Sequence, residues 1–251
     1  MDSKDKFTNK VADYVKYRPS YPQEFIDYLV TEVGLSKSSI LADVGAGTGI
    51  LTKLLAGKVN KIFAVEPNLN MRTACAQHCI DFTNFVAVNG SAEETNLPDK
   101  SVDFITVAQA FHWFDRQKTK LEFQRILKTN GKVILVWNSR VPERELIKEN
   151  DELCRILCPE FTGFSGGSDV SPEAYSDFFK NGYCEYRVFD NNSVLSLESY
   201  IGRSLSASYA PSEKDDNYKP FVDGLTRLFD KYSINGKLLL PFKTRCYVGG
   251  V

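Results

Sequence analysis

The sequence lacks an excess of charge of either sign, a long apolar run and any internal repeat. Its 251 residues include 31 Lys or Arg and 32 Asp or Glu, for a formal net charge of -1. This balance argues against the basic surface that nucleic-acid-binding proteins usually show. No segment approaches the roughly 18 consecutive apolar residues that a membrane span needs, and the first residues, MDSKDKFTNKVADY, lack the apolar stretch of a signal peptide. We therefore expect a cytoplasmic protein with neither nucleic acid nor a membrane as a partner.

The six cysteines include two pairs with a spacing of four, Cys75 with Cys79 and Cys154 with Cys158. Residues four apart lie along one face of a helix. This spacing is not that of the common zinc motifs, and free cysteines mostly behave as small buried apolar side chains. We expect reduced, packed thiols and no metal site; a four-ligand zinc site is the alternative.

Between residues 39 and 138, short apolar runs alternate with segments of helical periodicity. Strands are predicted at Ile40–Val44, Lys61–Glu66, Asn84–Gly90, Val102–Ala110 and Lys132–Asn138, with helices between them. The helix before the last strand is predicted to end at Gly131. Because successive β-α-β units with apolar strands form parallel sheets, we expect an α/β fold with helices on both faces of the sheet.

The pattern changes after Asn138. PERELIKENDELCRILC, SLESYIGRSLSASYA and DNYKPFVDGLTRLFDKYS are predicted helices, whereas YCEYRVFDNN and LLLPFKTRCYVGG are predicted strands. The two strands are too far apart in the chain for a simple hairpin. They can still pair antiparallel at the sheet edge, with the helices above the strand ends as a lid.

The stretch LADVGAGTGILTKLL places three glycines, Gly45, Gly47 and Gly49, between the first strand and the next helix. Glycine accepts a positive φ and lets a ligand approach the backbone closely, and the N–H groups of a helix start favour polar or negative groups. Glu66, at the end of the second strand, can accept hydrogen bonds from both hydroxyls of a ribose. The combination predicts a nucleoside-cofactor site; a tight turn without a ligand is the alternative.

The glycine spacing distinguishes between cofactors. Dinucleotide-binding loops have the pattern G-x-G-x-x-G, whereas this loop reads G-x-G-x-G and follows the acidic Asp43. A carboxylate beside a pyrophosphate is unfavourable, but it suits a cofactor with a cationic amine and a sulfonium.

LADVGAGTG and VEPNLNM resemble the first two motifs of class I S-adenosylmethionine-dependent methyltransferases, and NGSAEETNLPDKSVDFITVAQAFHWFD resembles their adenine-side loop and fourth strand. YVKYRPSYP and AFHWFD resemble the small-molecule branch with trans-aconitate methyltransferase-like enzymes. The resemblance implies a doubly wound, mostly parallel seven-stranded sheet, the Rossmann-like methyltransferase fold, with an antiparallel C-terminal edge and a helical lid. It divides one domain, residues 1–251, into N-terminal helices covering the cofactor (1–38), a cofactor-binding core (39–138) and C-terminal strands with the substrate lid (139–251).

The same resemblance implies S-adenosyl-L-methionine as the cofactor and S-adenosyl-L-homocysteine as its product. The methionine end is expected at Asp43, Gly45, Ala46, Gly47, Thr48 and Gly49. Glu66 would bind the ribose, Pro67 and Met71 would pack beside the adenine, Ser91, Ala92 and Glu93 would bracket the adenine edge, and Gln109 would lie under the sulfonium. Tyr14, Tyr17 and Arg18 would close over the cofactor, although Arg18 can equally be a surface charge.

His112 follows the fourth strand, where ligands gather in α/β sheets. We expect it to be the catalytic residue, either as a base for a hydroxyl or as a group that orients a carboxylate; a structural histidine is the alternative. Trp113, Arg140, Arg203 and Tyr209 are candidates for binding the expected partner, a small-molecule acceptor. We expect the protein to be a monomer or a homodimer. A non-catalytic cofactor-binding protein and a nicotinamide-dependent oxidoreductase are the competing interpretations.

Overall fold

The computed structural model describes residues 19–164 and 171–251. The strands in these ranges are β1 (Ile40–Val44), β2 (Lys61–Val65), β3 (Phe85–Val88), β4 (Val102–Ala108), β5 (Leu127–Arg140), β6 (Glu185–Asp190), β7 (Ser193–Leu195), β8 (Leu238–Leu240) and β9 (Phe242–Gly249). The α-helices are α1 (Gln23–Tyr28), α2 (Ile50–Ala56), α3 (Leu69–His78), α4 (Arg116–Ile126), α5 (Glu145–Leu157), α6 (Leu197–Leu205) and α7 (Tyr218–Tyr232).

Seven strands form one sheet in the order β3-β2-β1-β4-β5-β9-β6. The neighbours among β1 to β5 are parallel, whereas β9 runs antiparallel to both β5 and β6. The predicted mostly parallel sheet with an antiparallel C-terminal edge is therefore confirmed. The order reverses beside β1, between β1 and β4, which is where ligands bind in open α/β sheets.

Helices cover both faces of the sheet because the buried strands alternate their side chains. Val44 of β1 packs in one apolar cluster with Phe123 of α4, whereas Leu41 of the same strand packs in another with Leu29 and Leu55. This arrangement is the doubly wound layering that the alternating sequence pattern predicts.

Helices α5, α6 and α7 pack in a third apolar cluster, which also contains β8 and Phe242 at the start of β9. The small β7–β8 sheet is antiparallel. Buried Tyr200 of α6 bonds through its hydroxyl to Asn150 of α5, whose Nδ2 lies 2.7 Å away. The C-terminal helices are thus a cohesive unit joined to the sheet at β9.

The predicted end of the fourth helix at Gly131 is wrong. Helix α4 ends at Ile126, and β5 begins at the next residue. The N–H groups of Lys100 and Ser101 donate to the carbonyl oxygens of Arg125 and Ile126 at 2.9 and 2.8 Å. These contacts satisfy the last carbonyls of the helix from outside, so the chain turns into the sheet five residues early.

Five of the six cysteines are buried and all six are free thiols. In the described parts of the chain, no group of three or more His, Cys, Asp or Glu side chains is arranged to hold a metal ion. No helix in those parts is long and apolar enough to cross a membrane.

Glu122 of α4 is a buried acid with a strong set of partners. Thr95 donates to Oε1 through its N–H at 2.8 Å and its hydroxyl at 2.5 Å, and Arg125 binds both carboxylate oxygens at 2.7 Å. Burial by itself would raise the pKa of Glu122, but the bonds from Arg125 and Thr95 outweigh it and lower the pKa to about 2. The carboxylate therefore ties the loop after β3 to α4.

We expect Glu122→Gln to lower the free energy of unfolding at pH 7 by about 2 kcal/mol, because the folded pKa lies below that of an unfolded glutamate. This contribution is present above about pH 4.5 and is lost as the pH falls towards 2. Urea unfolding of wild type and variant at pH 7 and pH 3 measures it, with the exposed Glu152→Gln as the control. Equal destabilisation at both pH values would contradict the assignment.

Candidate functional site

The glycine loop joins β1 to α2 at the carboxyl edge of the sheet. Gly45 and Gly47 have φ values of 69° and 56°, a conformation that side chains rarely adopt. The N–H groups of Gly45 and Ala46 donate to the carbonyl of Val65 at 2.9 and 3.2 Å, which fastens the loop to β2. A Cβ on Gly47 would meet no atom within 4 Å, so this backbone is open to a ligand.

Gly49, unlike Gly47, is closely packed against a neighbouring helix. Its φ is 81°, and a Cβ there would lie 2.6 Å from the Sγ of Cys75. The Nδ1 of His78 lies 3.2 Å from the carbonyl oxygen of Thr48. Cys75 and His78, both on α3, therefore hold the second half of the loop in place.

Glu66 follows β2, and its buried carboxylate already has two backbone donors. Gly47 N–H donates to Oε2 and Asn68 N–H to Oε1, both at 2.9 Å. Burial raises the pKa of Glu66, and the two N–H donors and the Arg72 charge oppose that rise. Each oxygen keeps a lone pair for a further donor. The two backbone bonds therefore fix the carboxylate beside Gly47 and leave it able to accept hydrogen bonds from a ligand.

Asp43 lies beneath the glycine loop and is only 1% exposed. The hydroxyls of Thr52 and Thr106 donate to its two oxygens at 2.5 and 2.7 Å. Burial raises the pKa of Asp43 to about 6, although these two hydroxyls act to lower it. Asp43 is therefore a buried negative charge beneath the glycine loop, and the hydroxyls of Thr52 and Thr106 hold it in place.

Two adjoining cavities run along the carboxyl ends of β1, β2 and β4. The first has a volume of about 190 Å³ and lies beside Glu66. The sequence-predicted residues that line it are Gly45, Gly47, Glu66, Pro67, Met71, Ser91, Ala92, Glu93, Gln109 and Trp113. The structure thus brings together all the residues expected around the ribose and adenine.

The second cavity has a volume of about 400 Å³ and extends from the glycine loop to the C-terminal helices. The sequence-predicted residues along it are Asp43, Gly45, Ala46, Gly47, Thr48, Gln109, His112, Trp113, Arg140, Arg203 and Tyr209. The residues predicted to hold the methionine end of the cofactor and those predicted to bind the acceptor therefore line one cavity. Gly45, Gly47, Gln109 and Trp113 line both cavities and mark their junction.

Gln109 is fixed at that junction by its surroundings. It has a φ of 58°, its N–H donates to the carbonyl of Val136 at 2.9 Å, and its Nε2 donates to the carbonyl of Asn138 at 3.1 Å. The side chain of Asn138 also donates to the carbonyl of Ser20 at 3.2 Å. The segment around Ser20 is thereby held at the rim, where Pro19 and Tyr21 line the second cavity.

His112 lies in a short 3-10 helix after β4, Phe111–Trp113. Burial lowers the pKa of its imidazole to about 4, and its Nδ1 has no hydrogen-bond partner among the described residues. The ring is therefore neutral at pH 7. The two aromatic neighbours of His112 differ: Phe111 is fully buried in the core, whereas Trp113 is 43% exposed and lines both cavities.

The far end of the second cavity is basic and aromatic. Arg140 at the end of β5 and Arg203 on α6 both line it, together with Tyr209 and Phe242. The Nε of Arg140 is buried without a hydrogen-bond partner in the described chain. Glu160 lines the same cavity, so the arginines are accompanied by one acid there.

Sequence reasoning missed Asn138, Glu160 and Phe242. Each lies outside any motif, and only the strand pairing of β5 with β9 and the packing of the C-terminal helices bring them to the cavity. Tyr14, Tyr17 and Arg18 lie outside the described residues.

Known proteins with similar sequences are described as methyltransferases or methyltransferase-like proteins. Residues 42–135 match the model of a family described as a methyltransferase domain. An uncharacterized methyltransferase-like protein of Schizosaccharomyces pombe is 29% identical over 245 residues, 96% of this chain and 93% of the relative. An uncharacterized methyltransferase of Mycobacterium tuberculosis is 38% identical over 151 residues, and this match spans 59% of the chain and 58% of that relative.

Solved structures show the same fold. A protein from Anaeromyxobacter dehalogenans assigned as a type II methyltransferase superposes with a TM-score of 0.65 at 18% identity, covering 93% of this chain and 98% of that one. Geranyl diphosphate C-methyltransferase from Streptomyces coelicolor, solved with Mg²⁺, geranyl diphosphate and S-adenosyl-L-homocysteine, superposes with a TM-score of 0.51 at 10% identity. The superposition covers 91% of this chain and 78% of that one.

The sheet order is that of the Rossmann-like methyltransferase fold. Residues 42–135 match the methyltransferase-domain family, and over most of its length the chain is similar to a methyltransferase-like protein. Membership of the trans-aconitate methyltransferase-like branch stays a prediction.

Proposed function

We propose that this protein transfers a methyl group from S-adenosyl-L-methionine to a small, anionic acceptor. The observation that carries the proposal is the pair of adjoining cavities, with Glu66 in the first and His112, Arg140 and Arg203 in the second. The shared residues Gly47 and Gln109 would then lie beside the point of transfer.

The donor groups of the chain fit such a cofactor. Gly47 leaves open space above its backbone, and Glu66 presents two oxygens with spare lone pairs beside it. In the second cavity, the Oγ1 of Thr48 is buried without a hydrogen-bond partner among the described residues. An orphaned buried hydroxyl is costly unless a ligand satisfies it, which favours a polar ligand group at this point.

When bound, the cofactor supplies a methyl group on a positively charged sulfur, and the leaving thioether is neutral. The chain therefore has no leaving group to protonate, and its task is alignment, which can lower a barrier by about 7–11 kcal/mol. Glu66 would hold the ribose, Gln109 would fix the junction, and the negative Asp43 would favour a cationic ligand above the cavity floor.

The acceptor end favours an anion, because Arg140 and Arg203 outnumber Glu160 there. A carboxylate is ionised at pH 7 and needs no base. The neutral imidazole of His112, with its pKa lowered to about 4 by burial, is a weak base but a good hydrogen-bonding partner. His112 would therefore orient the acceptor rather than deprotonate it.

Titration calorimetry with S-adenosylmethionine, S-adenosylhomocysteine and NADH tests the cofactor. We expect S-adenosylmethionine and S-adenosylhomocysteine to bind and NADH not to bind. Incubation with methyl-labelled cofactor and a cell extract, followed by mass spectrometry, then tests transfer and identifies the acceptor. Cofactor binding without any labelled product would favour a non-catalytic binding protein.

We expect His112→Gln to lower kcat about tenfold, because one hydrogen bond to the acceptor contributes roughly 1–1.5 kcal/mol to alignment. The Kd for S-adenosylmethionine should not change. Steady-state kinetics from pH 5.5 to 8 check this, and the wild type should show no ionisation near pH 6.5 that is due to His112, because burial lowers its pKa to about 4. Full turnover by the variant would remove the assigned role; a loss that disappears at high pH would favour the base instead.

A further inference from the structure

The ring of Phe242 lies beneath both arginines of the second cavity. The Cζ of Arg203 is 4.1 Å from its centroid and the Cζ of Arg140 is 5.4 Å away. The Cζ of Arg140 is also 3.7 Å from the centroid of Phe164. One phenylalanine therefore contacts the guanidinium groups of two side chains that come from different parts of the fold.

Strand pairing, backbone hydrogen bonds and apolar packing fix the position of Phe242. It begins β9, lies directly opposite Arg140 in the β5–β9 pairing, and is 4% exposed. Its N–H donates to Oδ1 of Asn192 at 3.2 Å, and its carbonyl accepts from the N–H of Asn191 at 3.0 Å. The ring packs in the apolar cluster of the C-terminal helices, so it can act as a rigid platform.

The contact has an electrostatic reason. A guanidinium group that lies over an aromatic ring is attracted by the negative face of that ring, so Phe242 stabilises both charges where they lie. Among the described residues, no carboxylate forms an ion pair with Arg140, whose Nε is buried without a hydrogen-bond partner. The neighbours of its guanidinium group are the neutral rings of Phe164 and Phe242, so its positive charge is available to an anion.

We propose that Phe242 is a positioning residue for anion recognition, which holds Arg140 and Arg203 against one ring at the wall of the second cavity so that together they bind a carboxylate of the acceptor. This inference rests on the proposed function and adds to it the residue that places the two cations for the acceptor. Arginine suits the task because its planar fork matches a carboxylate.

The test is direct binding of simple carboxylates to the full chain, measured by calorimetry with acetate, succinate and glutarate against acetamide and succinamide. Each titration is done with and without S-adenosylhomocysteine, whose own binding is measured separately. We expect at least one carboxylate to bind at least tenfold more tightly than its amide. Phe242→Leu should weaken it about tenfold, and Phe242→Tyr should stay within about threefold of wild type.

Phe229→Leu is the matched control, because Phe229 is a buried phenylalanine of the same apolar cluster that does not line the cavity. Thermal melting confirms that each variant is folded. If Phe242→Leu binds carboxylate as wild type does, if Phe229→Leu loses as much, or if no carboxylate binds better than its amide, the proposal is wrong. Failure of S-adenosylhomocysteine to bind would instead refute the proposed function, since the carboxylate titrations are read independently.

Discussion

Glu66→Gln is expected to weaken S-adenosylmethionine binding about 100-fold. The carboxylate accepts the N–H groups of Gly47 and Asn68, so its oxygens are aimed at the first cavity before any ligand arrives. Hydrogen bonds to a charged group contribute about 1.5–3 kcal/mol each. Glutamine keeps one acceptor oxygen, loses the charge and replaces the other acceptor with a donor, so a loss of about 3 kcal/mol follows.

Titration calorimetry of wild type and Glu66→Gln measures this change, with S-adenosylhomocysteine as a second ligand that should lose affinity to the same degree. Glu94→Gln is the control, because Glu94 is exposed in the nearby loop and lines neither cavity. A Kd within threefold of wild type for Glu66→Gln would show that the ribose is bound elsewhere.

Asp43→Asn is expected to stabilise the protein at pH 7 and to weaken binding of the cationic cofactor. Burial raises the folded pKa of Asp43 to about 6, whereas an unfolded aspartate titrates near 3.9. The folded state therefore binds a proton more tightly than the unfolded state between about pH 4 and 6, and stability falls as the pH rises through that window. The asparagine variant lacks this penalty, which amounts to about 3 kcal/mol above pH 6.

Urea unfolding of both proteins at pH 4, 5, 6 and 7 measures the difference, which should be small at pH 4 and should grow to about 2–3 kcal/mol at pH 7. In calorimetry, Asp43→Asn should bind S-adenosylmethionine about tenfold more weakly, while the neutral thioether of S-adenosylhomocysteine loses less. Thr52 and Thr106 can reverse their hydroxyls to accommodate the amide. A stability difference that does not vary with pH, or equal losses for both ligands, would contradict the role given to the buried charge.

The core of the fold could be predicted because its local signals agree with its tertiary structure. The predicted strand Ile40–Val44 coincides with β1, and the predicted strand Lys61–Glu66 exceeds β2 by one residue. Asn68 is the N-cap of α3, and its side chain accepts the N–H of Met71 at 3.0 Å. In each case an apolar run or a capping side chain is sufficient to set the local structure.

The boundary between α4 and β5 could not be predicted in the same way. Gly131 is a good helix terminator in sequence, but the helix ends where Lys100 and Ser101 reach its carbonyls. These partners are about 25 residues away in the chain, and local propensity carries no information about them. Gly131 instead lies within β5, where a Cβ would come within 3.0 Å of the carbonyl oxygen of Asp103.

The residues around the first cavity could be grouped from sequence, whereas those of the second cavity could be grouped only in part. Gly45, Gly47 and Glu66 have a recognisable spacing at the strand ends, and they line the first cavity. Phe242 follows a proline in an apolar strand and resembles a core residue. Its place beneath two arginines depends on the register that pairs it with Arg140, which no local pattern encodes.

Gly47 and Glu66 are proposed to bind the adenosine of S-adenosylmethionine, with its methionine end in the second cavity. A crystal structure of the chain with S-adenosylhomocysteine is the sharpest test of this placement. We expect ribose hydroxyls within hydrogen-bonding distance of the Glu66 carboxylate, adenine beside Met71, and the homocysteine chain passing Gln109 into the second cavity. Density for the compound at another place, or the reverse orientation with the amino acid beside Glu66, would contradict it.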